Sequence, residues 1–347
     1  MGILIKKIGN AVKVRWALCN NPGLYINKQY QYKFQEENCL RSSLPFNDII
    51  NLSKPIPDEW FRANVLDMHE PLYYGALSSL LDYAGLSFIN FPPYKLGIQH
   101  GYVFEICHFE KLKLEKRNLV WSKKLVNMYH EHTSNQCIYA IGAPFFYAKS
   151  LLDDKQLNEE KKRLGKNLLV FPMHSQIDVD TNYDTKRLLS ILSKERERFD
   201  TIRICMYWKD ILRGTHKVFL EAGYECVCNG HLYDQNFLRR QKSLFALADA
   251  TLSNGVGSHI GYSIFMNKPH WLIDDNYEYK NTMKGGDAED LTYVTTKNNF
   301  QRVKKAFIGN SDYLITKQQK DVIDEFWGLS DKKEPSELKT IILNFYK

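Results

Sequence analysis

Two rhythms of apolar and polar positions alternate along this chain, and each change of rhythm marks an element. Pro71–Gly85 (PLYYGALSSLLDYAG) carries apolar residues at helical spacing and closes on Gly85, a residue suited to the position after a helix. LSFINF then predicts a strand, and Lys95–Gly101 a second strand running into a glycine. Asn118–Ser122 predicts a strand, KKLVNMYHEH a helix, and Cys137–Gly142 another strand, which Ala143-Pro144 breaks. The first forty residues read as short strands with a turn at Asn20-Asn21-Pro22-Gly23.

Lys149–Lys166 is dense in charge and poor in core residues, as a helix or linker between domains would be. The pattern then restarts. LLVFPMHS (Leu168–Ser175) opens with the fully apolar run of a buried parallel strand. A charged helix (Tyr183–Arg198), the strand TIRICMYW, a further helix and the strand YECVCNG follow. In Phe237–Ala248 the residues Phe237, Gln241, Leu244, Phe245 and Ala248 share one helical face. The strand ATLSN, the helix HIGYSIFMNK, the strand PHWLI and a terminal helix around Ser336–Tyr346 complete the reading. Strands alternating with helices in both halves predict an α/β protein with a parallel sheet in each. The expected division is residues 1–150 and 151–347, with the last helix free to pack back on the first domain.

The length of 347 residues fits two domains, and a composition of 44% hydrophobic and 25% charged residues is that of an ordinary globular protein. The net charge of +7 suits either solubility or an anionic partner, but no Lys/Arg run is long enough for a nucleic-acid arm. Seven cysteines without a repeated spacing argue against a disulfide framework, and the absence of a C-x-x-C pair argues against zinc. Cys226 and Cys228 are expected as buried thiols on one strand face. The segment MGILIKKIGNAVKVRW has no uninterrupted apolar core, and no stretch approaches the ~18 apolar residues of a spanning helix. A reducing cytoplasm is expected, and any membrane contact would be peripheral, at the inner face.

Against this background LSNGVGSHIGYS (Leu252–Ser263) stands out. It predicts a strand ending at Asn254, a bare turn, and a helix with Ser258 as its N-cap. Free N–H groups and the helix dipole at such a point favour an anion, and glycines let it approach the main chain. A tight turn without a ligand would show the same residues.

The residues around that turn carry a resemblance. Ala248-Asp249-Ala250-Thr251-Leu252-Ser253-Asn254, then Gly257-Ser258, then Asn267-Lys268-Pro269-His270 resemble the donor-binding domain of GT-B glycosyltransferases of bacterial capsule and lipopolysaccharide synthesis, including sialyl and Kdo transferases, and of the related CDP-glycerol glycerophosphotransferases. Gln99-His100-Gly101, Trp121-Ser122-Lys123 and Ile141-Gly142-Ala143-Pro144 are similar, in the same order, to motifs of the glycerophosphotransferase acceptor domain. The family's "HP" strand end has no counterpart: Tyr207-Trp208-Lys209 or Asn229-Gly230-His231 stands there. The resemblance implies two Rossmann-like domains facing across a cleft. It also implies that Ser253, Asn254, Gly255, Gly257 and Ser258 touch the donor phosphates.

Transfer to a hydroxyl needs a base and stabilisation of the departing phosphate. His100, at the end of a strand beside a glycine, is the leading base, with Glu70 as its replacement or assistant. Asp67 and His69 precede the same helix, where a carboxylate is usually a cap. His174 and Ser175, closing the first strand of the second half, are expected near the donor phosphate or a sugar carboxylate. Lys209 would offset charge in the cleft, and His231 would contact base or ribose. His259 and Tyr262 are read as packing or cap residues. Of Arg239 and Arg240, one is read as a solvated or salt-bridged face. Asp178-Val179-Asp180 spells D-x-D but is placed in a solvent loop, and no metal is expected. The expected activity is metal-independent transfer of a sugar, a CMP-linked ulosonic acid being favoured, from a nucleotide donor to a glycan or lipid-linked acceptor. No cofactor is expected beyond that donor, and no nucleic acid. Transfer of a polyol phosphate from a CDP-alcohol and ligand binding without turnover remain alternatives.

Overall fold

The computed structural model describes residues 25–26, 28–57, 61–62, 70–86, 96–106, 118–133, 137–283 and 288–345. Strands β1 (Tyr25–Ile26) and β2 (Phe61–Arg62) form a short antiparallel pair. Strands β3 (Leu119–Val120) and β4 (Tyr139–Ala140) pair in parallel, and Ile98 joins Leu119 by a single parallel bridge. Lys95–Gly101 is therefore not a full strand within the described residues. The turn at Asn20–Gly23 and most of LSFINF lie outside them.

The second half is built on strands β5 (Asn167–Phe171), β7 (Thr201–Met206), β8 (Glu225–Cys228), β9 (Ala250–Ser253) and β10 (His270–Leu272). They form one five-stranded sheet in the order β10-β9-β5-β7-β8, with every pairing parallel. Both faces are covered. Leu169, Phe171, Cys205 and Val227 join a core that includes Leu244, Phe245 and Ile260. Leu168, Val170, Ile204, Cys226 and Cys228 join a second core with Leu188, Leu192 and Phe219. Burial on both faces is why LLVF is apolar at every position, and the two thiols share a face because strand side chains alternate.

The order has one reversal. From central β5 the chain adds β7 and β8 on one side, then crosses back to place β9 and β10 on the other. In open parallel sheets the loops at such a reversal diverge at the carboxyl ends of the strands and leave a crevice. Here those loops are Pro172–Ser175 after β5 and Asn254–Gly257 after β9.

Three element readings change. Lys28–Ser42 is a helix, not part of a run of strands. Asp180 lies in strand β6 (Val179–Tyr183), paired antiparallel with β11 (Tyr277–Asn281), rather than in a solvent loop. Its carboxylate pairs with Lys209 at 3.0 Å and Arg213 at 3.4 Å, so its charge is neutralised by protein cations. The third change concerns the helix after β9. It begins at Ser258, which makes Gly257 and not Ser258 the N-cap.

The two halves share apolar contacts. Leu77, Leu80, Leu119 and Trp121 belong to the same core as Leu169 and Phe245. Phe145 stacks on Tyr262 with centroids 4.2 Å apart, and Phe146 on Phe265 at 4.2 Å. The helix Lys317–Trp327 ends on Gly328 and returns to the first half, where the Ala143 N–H donates to the Trp327 carbonyl at 3.0 Å. The final helix, Pro335–Asn344, contacts the helix Ala76–Tyr83.

Candidate active site

The bare turn after β9 has a packing cause. A Cβ on Gly255 would sit 2.4 Å from the Met173 sulfur, and one on Gly257 would sit 2.5 Å from the His259 ring. Its polar side chains are bonded inward. Asn254 Oδ1 accepts from the Met173 N–H at 2.7 Å, which ties together the two loops at the sheet reversal. Asn254 Nδ2 donates to Asp275 at 3.0 Å, and Asp275 pairs with Arg187 at 3.0 Å. The Ser253 hydroxyl donates to the Gly255 carbonyl at 2.9 Å and so accepts from His270 Nε2 at 3.0 Å. Both residues are buried. Ser253 and Asn254, expected to reach the donor, instead set the shape of the turn.

What the turn has left is its main chain, and residues 254–257 are all buried. No side chain caps the Ser258–Phe265 helix, and the Ile260 N–H donates to the Gly257 carbonyl at 3.1 Å, which leaves the dipole and the N–H groups of Ser258 and His259 at this end without a side-chain partner. Ser258 is half-buried, and its carbonyl accepts from the Trp327 indole N–H at 3.0 Å, which fixes this end of the helix. From the first half, the Tyr102 hydroxyl donates to the Val256 carbonyl at 3.2 Å.

His100 comes from the first half. Gln99 locks its loop: Nε2 donates to the Gly101 carbonyl at 2.8 Å, Oε1 accepts from the Trp121 N–H at 2.9 Å, and the Gln99 carbonyl accepts from the Trp121 indole at 3.0 Å. The half-buried His100 ring lies 5.1 Å from Tyr73 and 6.0 Å from Tyr74. Tyr74 has φ +60° and is followed by Gly75 at φ +70°. A left-handed tyrosine is strained by about 1–3 kcal/mol. It is held there by its N–H bond to the Leu232 carbonyl at 2.7 Å and by the close approach of Gly75 to the Gln235 carbonyl. The result places the Tyr74 hydroxyl 3.1 Å from that of Tyr207, whose ring lies 4.5 Å from His174. Burial pushes both tyrosines up, Tyr207 well above the usual phenol range, so both stay protonated. His100 and His174 thus stand at two ends of one aromatic chain across the halves.

Three other expected site residues have structural roles. Ser175 is fully buried: its hydroxyl donates to Asp210 at 2.7 Å and accepts from Arg213 at 2.6 Å and from the Thr181 N–H at 3.1 Å. Lys209 does not end a strand. It lies in the helix Trp208–Leu212, donates to the Gln176 and Ile177 carbonyls and pairs with Asp180. His231 is buried, and its Nδ1 accepts from the N–H groups of Ile56 and Tyr233, each at 3.3 Å. Glu70 opens the 3-10 segment Glu70–Gly75, but its side chain lies outside the described residues, as do Asp67 and His69. Among the described residues no cluster of His, Cys, Asp and Glu could hold a metal ion.

Tyr74, Tyr102 and Tyr207 carry no motif that marks them. In sequence they are three of 21 tyrosines, and only the fold brings Tyr74 to Tyr207 and Tyr102 to Val256.

The sheet and its reversal define an α/β protein with an open parallel sheet. No protein-family model matches the chain, and no curated protein matches it. Among solved structures it is similar to the wall teichoic acid polymerase TagF at 12% identity, over 72% of this chain and 67% of that one, with a TM-score of 0.39. A substituted form of the same polymerase matches at 12% identity over 68% of this chain and 60% of the other, with a TM-score of 0.37. No helix among the described residues is long and apolar enough to cross a membrane.

Proposed function

We propose that this chain is a nucleotide-dependent transferase of bacterial surface-polymer synthesis. Residues 151–347 form its donor-binding domain and residues 1–150 its acceptor side. Gly255, Gly257 and Ser258 present main-chain N–H groups to the donor's phosphates, and His100 takes the proton of the acceptor hydroxyl. The observation that supports the reading is the helix N-terminus without a side-chain cap at the sheet reversal, reached from the other half by the Tyr102 hydroxyl on the Val256 carbonyl.

Two bond changes fit this arrangement. In sugar transfer the acceptor oxygen bonds to the anomeric carbon, its proton passes to His100, and the nucleotide leaves with the electron pair of the broken C–O bond. In polyol-phosphate transfer the acceptor oxygen bonds to the phosphorus nearest the alcohol, and CMP leaves with the pair of the broken P–O bond. Both place negative charge on a departing phosphate, which the helix N-terminus stabilises.

The test is a thermal-shift and transfer assay with CDP-glycerol, CMP-sialic acid and UDP-glucose. One of them is expected to raise the melting temperature by linkage. His100→Ala is expected to lower turnover by about 10²–10⁴-fold while that thermal shift is retained. No shift with any donor would overturn the reading, and an unchanged rate in His100→Ala would remove the base.

A further inference from the structure

Lys242, on the helix Phe237–Leu247, reaches across to the first half. Its ammonium lies over two ring faces, 4.7 Å from the centre of Phe145 and 4.4 Å from that of Phe265. Lys332, which follows the helix Lys317–Trp327, is seated in the same way. Its ammonium is 5.0 Å from the centre of Tyr83 and 5.8 Å from that of Tyr147, and it donates to the Tyr83 hydroxyl at 3.2 Å. The seats are joined: Phe145 and Tyr147 belong to one 3-10 segment, Pro144–Tyr147, whose Phe146 stacks on Phe265. Among the described residues neither ammonium pairs with a carboxylate, and the acids of these segments have other partners. Asp82 pairs with Lys149 at 3.1 Å and Glu337 with Lys333 at 3.2 Å. Asp331 is buried, accepts from the Lys123 N–H at 2.9 Å and pairs with the Lys123 ammonium at 3.5 Å. Ring faces attract a cation, but they do not replace the oxygen acceptors that its N–H groups seek. Lys242 and Lys332 are half-buried, so both keep some surface open to solvent. Burial and then Lys332 push Lys242 down to about 8, the direction of a cation that meets another cation and no anion.

We propose that Lys242 and Lys332 form a binding site for a phosphate group at the seam between the halves, separate from the turn after β9. Phe265 ends the helix that starts at that turn, which sets its end of the site roughly 10 Å away along the helix axis. A phosphate carries more than one charge at neutral pH and has enough oxygens to bridge both cations. Each ammonium then gains a charge-assisted bond, and the anion between them offsets their mutual repulsion. The rings fix where the ammonium groups stand, so little side-chain freedom is lost on binding. The site stands independently of the proposed transfer reaction, since none of its residues belongs to the donor turn or the base.

Two probes test this and tell a free phosphate from a lipid headgroup. Inorganic phosphate is followed by isothermal titration, and vesicles of phosphatidylglycerol are compared with vesicles of phosphatidylcholine by flotation. Saturable binding of inorganic phosphate, or of the phosphatidylglycerol vesicles alone, is expected. Lys242→Met and Lys332→Met keep an apolar stem on the rings and remove the charge, and each is expected to weaken that binding by about tenfold. Should one variant not fold, the other decides. Binding of neither probe by the unsubstituted protein overturns the site. Binding that is unchanged in either folded variant also overturns it, because the phosphate then sits elsewhere on the molecule. The transferase reading stands in both cases, since it is tested with nucleotide donors and His100→Ala.

Discussion

At the scale of single residues, buried histidines set a pH limit on stability. His270 is fully buried, with Nδ1 bonded to Thr251 at 2.8 Å and Nε2 to Ser253 at 3.0 Å, and burial pushes it down to about 3. His231 is held at about 3 by burial and then by Arg41. An unfolded histidine titrates near 6.5. Between pH 6.5 and 3 the unfolded chain therefore binds protons that the folded chain refuses. The stabilisation is complete above 6.5 and is lost as pH falls, by up to about 1.4 kcal/mol per pH unit for each histidine. Urea midpoints are expected to drop between pH 7.5 and pH 5, and His270→Gln is expected to reduce that drop. Glycines give a second contrast. Gly328 has φ +67°, and a Cβ there would come within 1.9 Å of the Trp121 carbonyl oxygen. Gly85 has φ +66°, with nothing within 4 Å. Gly85→Ala is expected to cost about 1 kcal/mol in thermal unfolding, and Gly328→Ala on the order of 3 kcal/mol or more, because it adds a clash with main chain.

At the scale of elements, the helix Lys28–Ser42 was hidden by its own pattern. Aromatic and polar residues alternate through Tyr30–Gln35, which is strand rhythm. The described buried positions are Phe34, Asn38 and Arg41, a helical spacing in which two of three members are polar. Their partners are distant: Asn38 Oδ1 accepts from the Gln235 N–H, Arg41 donates to the Leu52 and Lys54 carbonyls, and its own carbonyl accepts from Arg240 at 2.6 Å. By contrast, the helix Phe237–Leu247 was legible because Phe237, Leu244 and Phe245 are apolar and buried. Arg240 on it is salt-bridged, at 2.8 Å to an Asp234 that is also without exposed surface. Arg240→Ala leaves that carboxylate buried and unpaired, with an expected loss of about 3–5 kcal/mol in urea unfolding. Replacing both, as Arg240→Met with Asp234→Leu, is expected to cost much less.

At the scale of the whole molecule, the sheet reverses its order once, and hydroxyls are among the groups that register the first half against it. Tyr74 bonds to Tyr207, and Tyr102 to the Val256 carbonyl in the turn. Tyr74→Phe and Tyr207→Phe are each expected to lower stability by about 0.5–1.5 kcal/mol, with no further loss in the double variant, because both remove the same bond. A double-mutant cycle by chemical denaturation checks this, and additive losses would mean that the hydroxyls act separately.

The sequence by itself determined the alternation of strands and helices in the second half, the buried Cys226–Cys228 face, and the strand–turn–helix around Gly255 and Gly257, because these follow from local periodicity and backbone permissiveness. The tertiary structure alone decided which polar groups are spent on the fold. Ser175, Lys209, His231, Ser253 and Asn254 have the residue types of a binding site, but a side chain shows its type in sequence and its partners only in space. Those partners are set by burial and by chain segments far apart in sequence, which no local pattern encodes.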